Sequence, residues 1–184
     1  MRIFFLLLLV FFFSSCQDEV LIKPKAQLRL DYPAANYEDM GVSFPYSFQK
    51  NKEAKLIGKR NNALNLYYPN MKATLYLTYQ EVDGHNLDSL LRDAQKLAYD
   101  HAVKAESIPE QPFVNEEKDV YGMFYMINGN AATQAEFYVT DSLQHFLNAA
   151  LYFEAKPNFD SIYPAVIYLR NDMRILMETL EWSN

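Results

Sequence analysis

Cysteine, glycine and histidine are scarce in this chain of 184 residues, which has one cysteine, five glycines and three histidines. A single cysteine, Cys16, excludes a disulfide within the chain. The histidines (His85, His101 and His145) are scattered and form no metal-binding motif. The chain also lacks a glycine-rich phosphate loop and a G-x-S-x-G nucleophile elbow. We therefore predict no metal site, no cofactor and no catalytic residues.

Positive charge is also scarce. The chain has 17 Lys and Arg residues and 23 Asp and Glu residues, which gives a net charge of -6. This balance argues against nucleic acid as a partner and against general binding to anionic surfaces. One stretch is basic, and it contains Lys50, Lys52, Lys55, Lys59 and Arg60. It is either a contact for acidic headgroups or a protein partner, or a solvated hairpin whose lysines protect a sheet edge.

The sequence contains no apolar run long enough to span a membrane as a helix, which needs about 20 residues. Its longest run, Ile3–Phe13, has eleven residues, follows Arg2 and ends at Ser14-Ser15-Cys16. This pattern is typical of a bacterial lipoprotein signal whose cysteine is lipidated and becomes the mature N-terminus. The alternative is an ordinary cleaved signal with a chance cysteine. We predict a signal peptide over residues 1–15, a lipidated tether over 16–25 and one domain over 26–184.

Alternating apolar and polar residues predict strands in the domain. The chain is rich in tyrosine, with 14 in total, and tyrosine suits half-buried sheet faces. The stretch Tyr121–Ile127 is apolar on both sides, which predicts a strand covered on both faces. With the two strands that follow it, this stretch predicts an antiparallel meander. The predicted strands cover Ala26–Tyr32, Val42–Phe48 (an edge strand or loop), Ala63–Tyr68, Met71–Tyr79, Tyr121–Ile127, Gln134–Thr140 and His145–Phe153.

Two segments have helical periodicity instead. Apolar residues recur at helical spacing from Leu87 to Ala105, with His101 on the apolar stripe. The last helix is predicted to begin with a cap at Asp160 or Ser161, so that Pro164 falls in its first turn. The order β-β-β-α-β-β-β-α predicts an α+β fold, with an antiparallel twisted sheet of about six to seven strands and two main helices.

A hydrolytic trio can be drawn from Asp141, Ser142 and His145. However, His145 shares the apolar phase of its strand, and turn chemistry alone explains Asp141-Ser142. An envelope hydrolase would need these groups, or His101 with carboxylates, to meet in a concave site. A carrier of a small apolar ligand would instead need a deep pocket between the sheet and the last helix.

Several ordered blocks resemble a known family. They cover almost the whole mature chain, and the strongest runs from Phe137 to Trp182. The sequence resembles the gliding-motility lipoprotein GldD family of Bacteroidetes-type bacteria. The blocks are the cysteine motif ending at Cys16, KPKAQLRLDYP (Lys23–Pro33), MKATLYLTY (Met71–Tyr79), DAQKLAYDHAVKA (Asp93–Ala105), VYGMFY (Val120–Tyr125), GNAA (Gly129–Ala132) and Phe137–Trp182.

This resemblance implies a lipoprotein required for gliding and for type IX protein secretion, with protein partners in that apparatus and no enzymatic activity. It provides one functional residue, the lipidated Cys16, and we expect the anchor to lie in the periplasmic leaflet of the outer membrane. The order of elements is also similar to the Mog1/PsbP-like fold, by analogy only, and a fold does not determine a function.

Overall fold

A seven-stranded antiparallel sheet forms the centre of the computed structural model, which describes residues 30–40, 44–60, 63–154 and 158–183. Two helices, α1 (Leu87–Asp100) and α2 (Phe159–Thr179), accompany it, so the predicted α+β class is confirmed. From one edge to the other, the strands are β4 (Lys55–Arg60), β5 (Ala63–Tyr68), β6 (Ala73–Glu81), β12 (His145–Phe153), β11 (Thr133–Thr140), β9 (Val120–Met126) and β8 (Glu110–Asn115).

Three pairs of short strands surround this sheet, and all three pairs are antiparallel. The C-terminal strand β13 (Glu181–Trp182) pairs with β2 (Tyr46–Ser47), which places Trp182 opposite Tyr46. The pairs are β1 (Tyr37–Asp39) with β3 (Gln49–Asn51), β2 (Tyr46–Ser47) with β13 (Glu181–Trp182), and β7 (Ala105–Ser107) with β10 (Asn128–Gly129).

Helix α2 covers one face of the sheet and forms the main core with it. The alternate residues Leu75 and Leu77 of β6 and Leu147 of β12 are fully buried there, together with Leu169 and Met173 of α2. The short strand β3 also packs against α2. Helix α2 buries polar as well as apolar side chains, and Arg170 and Asp172 are 4% and 5% exposed.

Helix α1 covers the opposite face through a smaller cluster. Its centre is Val82, Leu90 and Phe146, and Leu87 and Tyr138 pack around it. The predicted helix is correct in position but too long, because it ends at Asp100 and not at Ala105. His101 is its C-cap, and the chain then turns into β7.

The two edge strands show how the sheet resists further pairing. Pro112 lies in edge strand β8, a segment for which no strand was predicted from the sequence. The other edge, β4, carries Lys55 and has a register shift at Gly58, whose φ of +65° suits glycine. The strand therefore continues past Gly58 to Arg60. Its position agrees with the hypothesis of a basic hairpin that protects an edge.

Other sequence predictions are corrected in detail. The predicted strand Ala26–Tyr32 lies partly outside the described residues, and Leu30–Tyr32 is not a strand. Within Val42–Phe48, only Tyr46–Ser47 is a strand among the residues described. Helix α2 begins at Phe159, so Pro164 lies in its second turn and not in its first. The meander of β9, β11 and β12 is confirmed.

Within the described ranges, no helix is both long and apolar enough to cross a bilayer.

Candidate functional site

A polar groove of about 420 Å³ opens at one end of the central sheet. Three segments form it: the turn before β9, the turn between β11 and β12, and the C-terminal strand β13. Carboxylates dominate its charge, with one lysine among them. The lining residues are Glu117, Lys118, Asp119, Asp141, Gln144, His145, Glu181 and Trp182.

The aromatic wall of this groove is fixed by stacking and hydrogen bonds. The indole of Trp182 stacks on the His145 ring, with centroids 5.0 Å apart and planes 9° from parallel. The indole Nε1 donates a hydrogen bond to the Asp119 carbonyl at 3.1 Å. Nδ1 of His145 lies 2.8 Å from the hydroxyl of Tyr79. These contacts hold both rings in place before any partner arrives, which favours recognition over induced rearrangement.

The predicted trio of Asp141, Ser142 and His145 does not form a hydrolytic arrangement. One carboxylate oxygen of Asp141 accepts hydrogen bonds from the backbone amides of Leu143, Gln144 and His145 at 2.8–3.0 Å. Partial burial raises the pKa of Asp141, but these three amides outweigh it and lower the pKa overall. The left-handed φ of Ser142, +67°, belongs to the same turn. The turn chemistry anticipated from the sequence therefore accounts for Asp141.

A second groove of about 370 Å³ lies beside the first. Lys118 and Glu181 line both grooves and form an ion pair of 2.8 Å. Asp39 adds another carboxylate to the second groove. Such surfaces can bind polar or cationic groups, but nothing in their geometry activates a nucleophile.

The hypothesis that His101 meets carboxylates in a site has a different outcome from that of the trio. Nε2 of His101 lies 3.3 Å from a carboxylate oxygen of Glu136, so the structure does bring His101 to a carboxylate. The pair is not aligned as a hydrogen bond, and Glu136 is 3% exposed. The small cleft that Glu136 borders beneath α1 has no room for a water molecule. A substrate could not reach this pair while α1 lies against the sheet as it does in this structure.

The basic stretch contributes to local structure. Lys50 pairs with Glu38 across β3 and β1 and also donates to the Ala54 carbonyl at 3.4 Å. Lys52 and Lys55 are exposed. The side chains of Lys59 and Arg60 lie outside those described.

A cleft of about 40 Å³ borders α2 beside β8, and it is lined partly by Phe113, Phe124 and Met177. It is too small for a drug-sized or lipid-like ligand, which requires a pocket of about 300 Å³ or more. This cleft therefore gives no support to the hypothesis of an apolar ligand.

A buried polar network attaches the N-terminal strands to α2. The carboxylate of Asp172 accepts hydrogen bonds from the Tyr37 hydroxyl at 2.7 Å and from the Asn51 amide at 2.8 Å. Asn51 also donates to the hydroxyl of Tyr168 at 2.8 Å. Burial raises the pKa of Asp172, while hydrogen bonds from Tyr37, Asn51 and Tyr68 oppose the shift. The network is structural, because its donors and acceptors satisfy one another.

Replacement of Tyr37 by phenylalanine is expected to lower the free energy of unfolding by about 1–2 kcal/mol, since a hydrogen bond to a buried carboxylate is lost. Tyr99→Phe is a matched control. Its hydroxyl also donates to a carboxylate, that of Glu110, but the side chain is 44% exposed. The control should lose less than about 0.5 kcal/mol. Urea denaturation measures both values, and equal losses would contradict the role of Tyr37.

Sequence reasoning missed the importance of Trp182 and Glu136. Glu136 alternates with the apolar Ala135 and Phe137, so a strand pattern assigns it to a solvent face. The apolar stripe of α1 could have corrected this assignment. That stripe must pack against a face of the sheet, and the face that carries Glu136 is the one that α1 covers. Trp182, the one tryptophan, lies beyond the last helix and gives no periodic signal.

Among the residues that the structure describes, no group of three or more His, Cys, Asp or Glu side chains is placed to hold a metal ion. The predicted lipidation residue, Cys16, lies outside the described part of the chain. Its modification therefore stays a prediction.

Comparison with known proteins identifies the chain. No curated protein sequence matches it. A family model described as gliding motility lipoprotein GldD matches residues 17–182, a range that includes the central sheet, both described helices and Trp182. This match extends over most of the chain, and it confirms the resemblance carried by the sequence blocks. The chain belongs to the gliding motility lipoprotein GldD family.

Proposed function

We propose that this protein is a non-catalytic accessory component of the gliding apparatus and of the associated type IX secretion system. It acts by binding protein partners while a lipid on Cys16 anchors it in the periplasmic leaflet of the outer membrane. The single observation that carries the proposal is the family match over residues 17–182. The N-terminal signal pattern that ends at Cys16 supports the anchor, with residues 1–15 removed, 16–25 as the tether and 26–184 as the folded domain.

The geometry favours binding over catalysis. The first acidic groove has a fixed aromatic wall, and its most suggestive catalytic groups are already engaged. Asp141 caps its own turn, and His145 lies between Trp182 and Tyr79. A surface of this kind recognises a partner through shape and charge.

Deletion of the gene is expected to abolish both spreading on agar and secretion of the adhesins that the type IX system exports. Expression of the intact chain at native level should restore both. The measurements are colony spreading and the amount of adhesin on the cell surface. A deletion strain that glides and secretes normally would refute the proposal, and a strain that secretes normally but cannot glide would remove its secretion half.

The membrane leaflet can be tested separately. If the domain faces the periplasm, protease added to intact cells should leave it uncut, whereas the same protease should cut it after the outer membrane is permeabilised. Cleavage in intact cells would place the domain on the cell surface. Crosslinking in membranes, followed by purification of the chain, would then identify the partner.

A further inference from the structure

The two helices are attached to the sheet very unequally. Helix α2 has eight buried residues, while α1 has two, Leu90 and Ala98. The N-terminal end of α1 is well fixed, because Leu90 lies in the cluster with Phe146 and the side-chain amide of Asn86 donates to the Glu81 carbonyl at 2.9 Å. Its C-terminal half contributes one fully buried residue, Ala98. The other attachment of this half is Tyr99, which is 44% exposed, meets the Tyr125 ring and donates to Glu110, so this half of α1 can leave the sheet at a lower cost than α2 can.

Beneath that half, the sheet presents polar atoms that no hydrogen bond satisfies. Buried oxygens of Glu136 (Oε1) and Asn148 (Oδ1), and Nε2 of His101, lack hydrogen-bond partners among the described residues. Glu136 and Asn148 both border the cleft below α1. Native proteins leave few such atoms, and each one calls for an explanation.

The groups around Glu136 come from every element packed against it. His101 and Asp100 approach from the end of α1, with His101 3.3 Å away. Tyr125 of β9 and Tyr152 of β12 are close enough to interact electrostatically with its carboxylate. Tyr138 lies on the same strand, and Glu110 of β8 lies near Tyr125. None of these groups is a permanent cation.

We propose that Glu136 is a proton-controlled latch for the C-terminal half of α1, which closes on the sheet when the carboxyl group is protonated and moves outward when it is ionised. A protonated carboxyl has a hydroxyl that can donate to Nε2 of His101 or to the Asn148 oxygen. An ionised carboxylate has lost that hydroxyl, and Nε2 of His101 is not aligned to donate to it, so its charge stays buried near that of Asp100. Outward movement of the helix lets water solvate it.

The direction of titration agrees with this geometry. Burial, followed by the charge of Asp100, raises the pKa of Glu136 to about 8. Burial lowers the pKa of His101, although Asp100 opposes the shift. A neutral pair is therefore the state that the closed helix favours.

The pH window follows from both groups. In the open state, Glu136 regains its ordinary pKa near 4.5, so raising the pH toward about 8 favours opening about tenfold per pH unit. His101 regains a pKa near 6.5 on opening, and below that pH its protonation favours opening as the pH falls. The two effects oppose each other below about pH 6.5. A net rise in opening of about eightfold is expected between pH 6.5 and 8, and opening levels off about one pH unit higher.

Hydrogen exchange on the full-length protein in detergent tests this latch. After correction for intrinsic exchange rates, amides of residues 94–100 should lose about eightfold in protection between pH 6.5 and 8. The protection of amides in the buried part of α2 should not change over that pH range. In Glu136→Gln the loss should vanish, while the exposed control Glu106→Gln should behave as the wild type does. A pH-independent α1 in the wild type, or an unchanged response in Glu136→Gln, would overturn the proposal.

A titration of the wild type keeps the test decisive if Glu136→Gln does not fold. Carbon-13 NMR of the glutamate carboxyl groups should show one that titrates near pH 8, with the same midpoint as the α1 amide signals. If every glutamate titrates below about pH 6, or if the two midpoints differ, Glu136 does not control the helix.

Discussion

Replacement of Arg170 by methionine is expected to lower the free energy of unfolding by about 3–5 kcal/mol, among the largest losses for one side chain in this fold. Its guanidinium is 4% exposed and donates to the Gln134 carbonyl through Nε and Nη2, at 3.2 and 2.8 Å. It also donates to the Ile127 carbonyl and to the Asn128 side chain, both at 3.0 Å. Burial lowers its pKa to about 10, so it stays charged at neutral pH.

Methionine keeps much of the volume of arginine but donates no hydrogen bond. The Ile127 carbonyl would then lose its bond to the guanidinium, and the Gln134 carbonyl would keep only the hydrogen bond from the Ile127 amide at 3.2 Å, in a place between α2 and the sheet where water cannot easily replace the guanidinium. The connection from β9 to β11 should loosen as a result. Chemical denaturation measures the loss, and hydrogen exchange should locate it in Ile127 and Gln134.

Arg174→Met is the matched control, one helical turn further along α2. Arg174 is only partly buried, lies over the Phe124 ring at 4.9 Å and makes marginal contacts to Gln111 and the sulfur of Met126. We expect a loss of about 0.5–1 kcal/mol, the value of a half-exposed cation–π contact. If both substitutions cost the same, the network around Arg170 is not what stabilises the α2 interface.

Periodicity predicted most of the main sheet because its strands bury alternate residues. In β6, Leu75 and Leu77 face the core while Tyr76 is 45% exposed, as the alternation in Met71–Tyr79 indicated. Periodicity failed where a strand forms through pairing and not through burial of alternate residues. Strand β8 contains Pro112 and has no buried residue, so only its pairing with β9 makes it a strand.

The polar interior could not be predicted, because it depends on contacts between distant segments. Arg170 meets carbonyl groups from residues 127 and 134, and Asp172 meets Tyr37 and Asn51. A helical wheel of α2 alone gives no reason to bury either charge. Likewise, the Trp182–His145 stack joins two residues that no local motif connects. The proposed function rests on the family resemblance, whereas the residues alone indicate no mechanism.

Replacement of Cys16 by serine is expected to abolish gliding or to weaken it strongly while the fold stays intact, provided that the variant is still exported. The ring of Tyr32 packs against that of Tyr168 of α2, with centroids 5.5 Å apart. The chain from Cys16 to Tyr32 can span at most about 55 Å. A lipid on Cys16 would therefore keep the domain close to the bilayer and raise its effective concentration beside a membrane-embedded partner. The measurements are colony spreading and the thermal unfolding midpoint of the purified domain.

A longer tether separates the effect of anchoring from that of distance. Insertion of about twenty flexible residues after Lys25 should lower the effective concentration only about threefold, because closure entropy grows with the logarithm of chain length. Gliding should then persist with Cys16 in place and fail without it. An unanchored periplasmic form that restores gliding at native expression would contradict the anchor's role. A lengthened but lipidated form that fails would instead indicate that the partner requires the domain at a fixed height above the membrane.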